Sequence, residues 1–232
     1  MKRISSIIFA AFVLTFVSAN YASAQWKYKG YYYEGMAVVR NAYGKCGFID
    51  KKEYLVIPCK WEDAFQFSEG LARVKDANEK WGYINKTGKV VIPCQWKDAW
   101  EFGEGLAAVK NANDQWGFID KTGKVVIPCK WDWAKEFREG LAHVRDANNK
   151  YGFINKTGKV VIPCQWRDAW SFNKDLAKVQ NGALKWGFID KTGKVVVPCQ
   201  WKYVIDFRDG LAEVWDTYGT HHKIDKTGRI VE

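Results

Sequence analysis

The chain contains little histidine, and its cysteines lack the short spacings that bind metals. Three histidines in 232 residues are too few for a His-rich metal site of any size. No two of the six cysteines form a C-x-x-C pair, and five of them lie 35 residues apart, which gives no support to a metal cluster. Proline (5) and glycine (20) are too few for a collagen-like or low-complexity chain.

Long apolar runs are also missing. The apolar stretch at residues 7–17 has about 11 residues, whereas a helix that crosses a bilayer needs roughly 20. Lys2 and Arg3 precede this stretch, and Ala22-Ser23-Ala24 follows it, which is the pattern of a cleavable secretory signal peptide. We therefore expect residues 1–24 to be a signal peptide that is removed before Gln25. The rest of the chain is then exported and has no membrane span.

Aromatic residues and positive charge are abundant. Aromatic residues make up 16% of the chain, including 13 tryptophans, and the formal net charge is +10. Apolar residues account for 47%, which is enough for a folded core and argues against disorder.

The chain after Gln25 repeats one pattern about six times with a period of 35 residues. Three columns of this repeat are a Trp-Gly pair, a Pro-Cys pair and a tryptophan two residues after the cysteine. The first column contains Trp81-Gly82, Trp116-Gly117, Tyr151-Gly152 and Trp186-Gly187, and the last contains Trp61, Trp96, Trp131, Trp166 and Trp201. Residues 25–232 therefore form a single repeat domain without a linker.

Each repeat has the pattern of a three-stranded antiparallel meander. Residues 106–110, 116–120 and 124–127 are short runs rich in Val, Ile and aromatic residues, separated by polar turns. The turn at 120–124 combines an aspartate with a glycine, which is typical of a bulged hairpin turn. Residues 95–105 have apolar residues three to four apart and end in Gly105, which predicts a helical turn.

Both faces of the predicted sheets are apolar, so both must be covered. Trp116 and Phe118 point to one face while Ile119 points to the other. Neighbouring repeats supply the cover, which predicts an all-β array of six units of about 35 residues in an open, twisted, solenoid-like stack. A closed six-bladed, propeller-like ring is the alternative, although three strands make thin blades.

The recurring Trp-Gly and Pro-Cys columns of this chain resemble the WG-repeat family of bacterial repeat proteins. The resemblance rests on residues 80–85, 91–93 and 104–109 and on their recurrence in register. It implies a β-rich tandem array that serves as a binding scaffold in a bacterium, and it supplies no catalytic residues. The ends depart from the pattern, because Cys46 and His221 replace tryptophan and His222 replaces glycine. Residues 173–175 replace the usual Glu-Gly turn and put its geometry in the fifth unit in doubt.

The cysteines have two interpretations. Five follow proline at one column and are expected to be small buried apolar residues. Export permits a disulfide between Cys46 and Cys59, since a two-residue turn places them opposite each other, whereas a bulged turn moves them apart.

No catalytic constellation is visible in the sequence. His143 occupies a variable column of a strand and is expected on the exposed surface, without a positioned nucleophile. His221 and His222 are adjacent on a strand, so they point to opposite faces and do not share a metal easily. We expect neither an enzyme nor a cofactor.

Cationic residues recur at one hairpin tip and form a candidate polyanion-binding rim. Its members are Lys51, Lys52, Lys86, Lys89, Lys121, Lys124, Lys156, Lys159, Lys191, Lys194, Lys226 and Arg229. Such a rim suits an acidic envelope glycan or extracellular nucleic acid, with intracellular nucleic acid not expected. The alternative is a solvated lysine row that protects strand edges from foreign pairing.

Tryptophans outside the regular column form a second candidate surface. The regular set is expected to pack as a core between units. The irregular residues, which can stack on sugar rings or on apolar groups of a partner, are Trp100, Trp133, Trp170 and Trp215.

The sequence thus predicts an exported, non-catalytic scaffold in the periplasm or at the cell surface. Its expected partner is a protein or an anionic envelope glycan. A secreted hydrolase of envelope polymers and a purely structural, self-assembling element are the alternatives.

Overall fold

The structure, a computed structural model, describes residues 26–231, and within them it contains 23 β-strands and no helix. The first sheet has β1 (Tyr28–Tyr33), β2 (Met36–Arg40), β3 (Cys46–Asp50) and β4 (Leu55–Trp61). The second has β5 (Asp63–Ser68), β6 (Leu71–Lys75), β7 (Trp81–Asn85) and β8 (Val90–Trp96). The third has β9 (Asp98–Ala99), β10 (Leu106–Lys110), β11 (Trp116–Asp120) and β12 (Val125–Trp131).

Three further sheets repeat the pattern. The fourth has β13 (Trp133–Ala134), β14 (Leu141–Arg145), β15 (Tyr151–Asn155) and β16 (Val160–Trp166). The fifth has β17 (Asp168–Ala169), β18 (Leu176–Gln180), β19 (Trp186–Asp190) and β20 (Val195–Trp201). The sixth has β21 (Tyr203–Val204), β22 (Leu211–Trp215) and β23 (His221–Asp225). Strands that follow one another in the chain pair within each sheet, and all of the pairs are antiparallel. The predicted signal peptide, residues 1–24, lies outside the described residues.

Aspartate and asparagine side chains close the turns of each sheet, as the turn at 120–124 illustrates. Asp120 Oδ1 accepts hydrogen bonds from the backbone N–H groups of Thr122 (2.9 Å) and Lys124 (3.1 Å). Gly123 adopts a φ of 87°, a conformation that favours glycine. The predicted turn chemistry is therefore present.

The connection predicted as a helical turn is extended, and it adds a fourth strand to most sheets. In the third sheet, Ala99 of β9 pairs with Val109 of β10. Glu104 and Gly105, with φ of 53° and 88°, form a tight turn between Gly103 and Leu106. The helical interpretation was wrong because the apolar residues of this segment pack between two sheets and do not line one helical face.

A bulge couples the Trp-Gly pair to the Pro-Cys pair. Trp116 pairs with Trp131 and Phe118 with Ile127, so the chain around Cys129 bulges over Gly117. A Cβ atom on Gly117 would lie 2.6 Å from the Ile127 carbonyl oxygen and 2.7 Å from the Cys129 nitrogen. Only glycine fits beneath this bulge.

The cores lie between neighbouring sheets, as the two apolar faces predict. The cluster between the third and fourth sheets joins Phe118 to Phe137 with ring centroids 4.9 Å apart. The same contact recurs at every junction: Phe48–Phe67, Tyr83–Phe102, Phe153–Phe172 and Phe188–Phe207. Adjacent repeats therefore stabilise each other by covering one another's apolar faces.

The array is open. Within residues 26–231, the sheet contacts join neighbours along the chain, and no strand of the first sheet pairs with the sixth. The outer face of the first sheet has a small cluster of Ala37, Val39 and Ile49, which Trp26 and Tyr32 help to cover. The first unit therefore covers its own outer face, and the first and sixth sheets do not pair to close a ring within the described residues.

Candidate binding surfaces and the groove between sheets

Four of the twelve residues of the predicted cationic rim form ion pairs between neighbouring sheets. Lys121 Nζ lies 3.1 Å from Glu69 Oε2 of the preceding sheet, and the same carboxylate oxygen accepts a hydrogen bond from the Gly105 N–H at 3.0 Å. Equivalent pairs at 3.0–3.1 Å are Lys86–Glu34, Lys156–Glu104 and Lys191–Glu139. We call this repeated arrangement the Glu–Lys ladder.

Three ladder carboxylates, those of Glu34, Glu104 and Glu139, have pKa values below the usual range. Burial alone would raise the pKa of Glu104, but hydrogen bonds from Lys156 and the Gly140 N–H outweigh it and hold the pKa below its usual value. Glu34 and Glu139 have lowered pKa values from the same balance. The lysines of the ladder are therefore partly neutralised by neighbouring carboxylates.

The second lysine of the hairpin turn in the second to fifth sheets is free to contact a partner. These side chains are exposed and form no ion pair with any residue in 26–231; they are Lys89, Lys124, Lys159 and Lys194. Lys51, Lys52 and Lys226 are also exposed without an ion pair in that range, whereas Arg229 contacts Asp225 at 3.2 Å. The free part of the predicted rim is thus the second lysine column and the two ends.

The ladder changes at the fifth sheet, where Lys174 stands in the position of the ladder glutamates. Glu139 still accepts the N–H groups of Lys174 (2.7 Å) and Asp175 (3.0 Å), so the turn keeps its geometry, with Asp175 at a φ of 69° in place of glycine. Lys226 of the sixth sheet therefore has no ladder glutamate to pair with, because the fifth sheet has Lys174 at that position.

A groove runs between each pair of adjacent sheets beside the short first strand. The third residue of the second strand lines it, and this residue differs at all five junctions: Val38, Arg73, Ala108, His143 and Lys178. Between the second and third sheets Arg73 fills the groove. Its guanidinium lies 3.7 Å from the Phe65 ring centroid, and it donates to the Ala99 carbonyl.

Two other grooves are also occupied by cations. Lys135 lies 3.6 Å from the ring centroid of Trp100 between the third and fourth sheets. Lys178 lies 4.6 Å from the ring centroid of Trp170 and 3.1 Å from Asp206 between the fifth and sixth.

The groove between the fourth and fifth sheets opens into a cavity of about 490 Å³, which we call the fourth-groove cavity. Two candidate tryptophans, Trp133 and Trp170, line it together with His143 and Tyr151. Trp133 is half-buried against His143, with centroids 4.8 Å apart, whereas Trp170 is 55% exposed. The structure therefore brings two of the four predicted contact residues into one site.

His143 is buried, contrary to the surface position expected from its column. It is 6% exposed, and its Nδ1 lies 3.3 Å from the Ser171 hydroxyl oxygen. Burial, with the positive charges of Lys135 and Arg138, lowers its pKa to about 3, so the ring is neutral at physiological pH. The expectation failed because the next sheet covers this strand position.

A second cavity of about 360 Å³, the first-groove cavity, lies at the equivalent place between the first and second sheets. Its residues are offset from those of the fourth groove by 105 positions, or three repeats, so that Tyr28 corresponds to Trp133 and Phe65 to Trp170. Tyr31, 86% exposed, also lines it. Sequence reasoning missed this cavity, although the tyrosine-rich β1 was a signal for it.

The repeat match decides the family. The family described as WG containing repeat matches residues 47–81, 81–114, 116–151, 151–184 and 186–214. The chain belongs to this family. A comparison with curated proteins finds no match.

Two solved structures resemble the fold of this WG-repeat protein. The computationally designed protein Ika8 is 11% identical with a TM-score of 0.54, and the match covers 89% of this chain and 73% of Ika8. BamB from Moraxella catarrhalis is 11% identical with a TM-score of 0.51, and the match covers 88% of this chain and 75% of BamB. At this identity the likeness shows the fold alone.

The remaining tryptophans have packing roles in the WG-repeat array. The regular set is buried, as predicted: Trp61, Trp96, Trp131, Trp166 and Trp201. Trp100 is half-buried and stacks on Trp116 at 6.3 Å, with Lys135 over its ring. Trp215 packs against Tyr203 and His221 in the last sheet.

The six cysteines are free thiols, and the disulfide considered for Cys46 and Cys59 is not formed. Cys46 is opposite Trp61 in the register of β3 and β4, because the bulge displaces Cys59. Cys46 is buried, whereas the five cysteines that follow proline are half-buried rather than fully enclosed. Burial raises the pKa of Cys94 and of Cys164 to about 11, so these thiols stay protonated at neutral pH.

The Ser171–His143 contact does not have the properties of a nucleophile–base pair. A histidine with a pKa of about 3 is a weak base at neutral pH. No carboxylate within residues 26–231 bonds its other ring nitrogen to orient it. Those residues also contain no group of three His, Cys, Asp or Glu side chains placed to hold a metal, and no helix with the length and apolar character to cross a membrane.

Proposed function

We propose that this protein is an exported, non-catalytic scaffold that binds a cell-envelope glycan in the grooves between its sheets. The observation that carries this proposal is the pair of equivalent aromatic cavities three repeats apart. Concave sites of about 300–1,000 Å³ with aromatic walls and a few polar groups are typical of small-ligand recognition. Both cavities fall in this range.

The pattern of variation within the chain supports a binding role. The inter-sheet ring pairs, such as Phe118–Phe137, keep one geometry at every junction. The groove position has five different residues at the five junctions. A scaffold that binds a partner needs this combination, because constant packing holds the frame while variable positions set what each groove accepts.

Electrostatics favour an anionic polymer over a neutral one for the whole molecule. The net charge is +10 for the whole chain and +8 without residues 1–24, which contain Lys2 and Arg3 and no acidic residue, and the second lysine column is exposed without ion pairs in the described part of the chain. Phosphate or carboxylate groups on a glycan can contact this column while its sugar rings enter the grooves. Binding at the column weakens as salt rises. The signal-like pattern of residues 1–24 supports the envelope as the place where this partner is met.

The test is retention of the purified mature chain on fractionated envelope glycan at low and high salt. We expect retention that falls with salt and with the triple substitution of Lys89, Lys124 and Lys159 to Glu. The matched control is the triple substitution to Glu of Lys86, Lys121 and Lys156, which pair with the ladder glutamates. This control should lower the stability of the protein and have a smaller effect on the salt-dependent part of binding. Absence of retention at low salt would remove the proposal.

The same preparation tests the rival functions. Release of soluble glycan fragments on incubation would show a hydrolase. Sedimentation that depends on protein concentration, without glycan retention, would show a self-assembling structural element.

A further inference from the structure

The fourth-groove cavity has the chemistry of a site for an uncharged sugar ring. This inference rests on the proposed function and specifies what one groove recognises. Three features of the cavity lead to it: its indole walls, its unpaired hydrogen-bonding groups and its mixed charge.

The two indoles come from successive sheets and present different amounts of free surface. Trp133 is fixed by His143 behind it and by Tyr151, whose ring centroid lies 5.9 Å away. Trp170 is 55% exposed, with Lys178 4.6 Å from its centroid. Aromatic faces carry negative charge density and attract the weakly positive C–H groups of a sugar ring, so rigid indoles are suited to stacking on such rings.

Two polar groups of the cavity have unused hydrogen-bonding capacity. Asp168 Oδ1 accepts the Ala169 N–H at 2.8 Å, while no described residue bonds Oδ2. His143 is 94% buried and its Nδ1 contacts Ser171, while its Nε2 has no partner in residues 26–231. If Nδ1 accepts from the Ser171 hydroxyl, Nε2 carries the proton and needs an acceptor. The cavity therefore offers an acceptor at Asp168 and, in this tautomer, a donor at His143.

A ligand must satisfy both groups at once. A hydroxyl group donates and accepts, so adjacent sugar hydroxyls can donate to Asp168 and accept from His143. A quaternary ammonium ion suits an aromatic wall but offers no acceptor to His143, and Lys135 and Arg138 at the cavity repel it. An anionic group meets Glu136, Asp168 and Asp206 on the same walls. Because the cavity walls carry both positive and negative side chains, a neutral ring with several hydroxyl groups fits them best.

We propose that the fourth-groove cavity binds a neutral hexopyranose unit of a glycan, stacked on Trp170 and hydrogen-bonded to Asp168 and His143. The first-groove cavity has Val38 in place of His143 and therefore lacks the buried donor. It serves as an internal comparison.

The experiment measures binding of neutral methyl hexopyranosides and their short oligosaccharides to the mature chain by ligand-observed NMR. Tetramethylammonium and a uronic acid are the comparison ligands. We expect at least one neutral sugar to bind, and binding to weaken about tenfold in Trp170→Ala and in Asp168→Asn, which keeps the bond to Ala169. The control is Ile205→Ala, the equivalent of Trp170 in the sixth sheet, which should bind as the wild type does.

Three results would contradict the cavity proposal. In the first, no neutral sugar binds; in the second, the protein prefers the ammonium ion or the uronic acid; in the third, both variants bind the neutral sugar with unchanged affinity. Cleavage of a bound oligosaccharide that is lost in Asp168→Asn would assign Asp168 to catalysis instead. If envelope glycan is still retained while no neutral sugar binds, only the cavity proposal fails; loss of all retention removes the proposed function itself.

Discussion

Gly117 lies directly beneath Cys129, and their backbones approach too closely for any side chain at residue 117. A Cβ atom at this residue would lie only 2.7 Å from the Cys129 nitrogen. The Trp-Gly and Pro-Cys columns of the repeat are therefore two halves of one structural device, in which a bulged edge strand crosses over a glycine.

The first prediction concerns this contact. Gly117→Ala forces the bulge away from β11 and should lower the free energy of unfolding by about 2 kcal/mol. Gly182→Ala is the matched control, because nothing lies within 4 Å of a Cβ there and its φ is not positive. Ala77, Ala112 and Ala147 occupy the equivalent positions. Urea titration of both variants measures the difference, and equal stabilities would contradict the role given to the bulge.

The second prediction concerns the Glu–Lys ladder. Glu104→Gln removes the charge that meets Lys156 at 3.0 Å and weakens the acceptor for the Gly140 N–H. We expect a loss of about 1 kcal/mol in stability. Asp209→Asn is the control, since no sheet follows the sixth within residues 26–231. If the two substitutions have the same effect in urea titrations, the ladder does not hold the sheets together.

The third prediction is a dependence of stability on pH. The folded-state pKa values of Glu34, Glu104 and Glu139 lie below the usual value of 4.5. Their contribution is therefore fully present above about pH 4.5 and is lost as the pH falls through the lower folded values. Unfolding measured from pH 6 to pH 3 should show a smaller decline in the triple Glu→Gln variant than in the wild type. Identical declines would contradict this assignment.

The fourth prediction restores the missing ladder partner. Lys174→Glu places a carboxylate where the other sheets have one and should pair with Lys226. We expect about 0.5 kcal/mol of added stability, seen as slower hydrogen exchange in β22 and β23. Lys174→Gln is the control, because it removes the positive charge of Lys174 without adding a carboxylate that could pair with Lys226. Equal protection in both variants would argue against a new ion pair.

Much of the fold follows from local patterns, and the site does not. The 35-residue period and the apolar strand faces predict the six sheets and the buried junctions, because these depend on residue type and alternation along one strand. The extended β9 was missed because Trp96, Ala99 and Phe102 have a helix-like spacing, whereas the two flanking sheets fix the segment as extended.

The groove residues show why the candidate site was harder to foresee. The burial of His143 depends on where Ser171 and Trp170 of the next sheet lie, which no pattern within its own strand encodes. The ladder lysines likewise meet glutamates 52 residues earlier in the chain, as Lys121 meets Glu69. Trp133 was recognised from sequence only because its column otherwise contains Asp63, Asp98, Asp168 and Tyr203.

The central claim is that partners bind in the grooves between sheets, and indole N–H signals in a ¹⁵N-correlated NMR spectrum test it most directly. The 13 tryptophans give resolvable probes that substitution to phenylalanine assigns. On titration with envelope glycan, we predict shifts of the Trp133 and Trp170 signals, with those of the buried set, such as Trp131 and Trp166, unchanged. Shifts confined to other tryptophans, with Trp133 and Trp170 unaffected at saturation, would contradict the account.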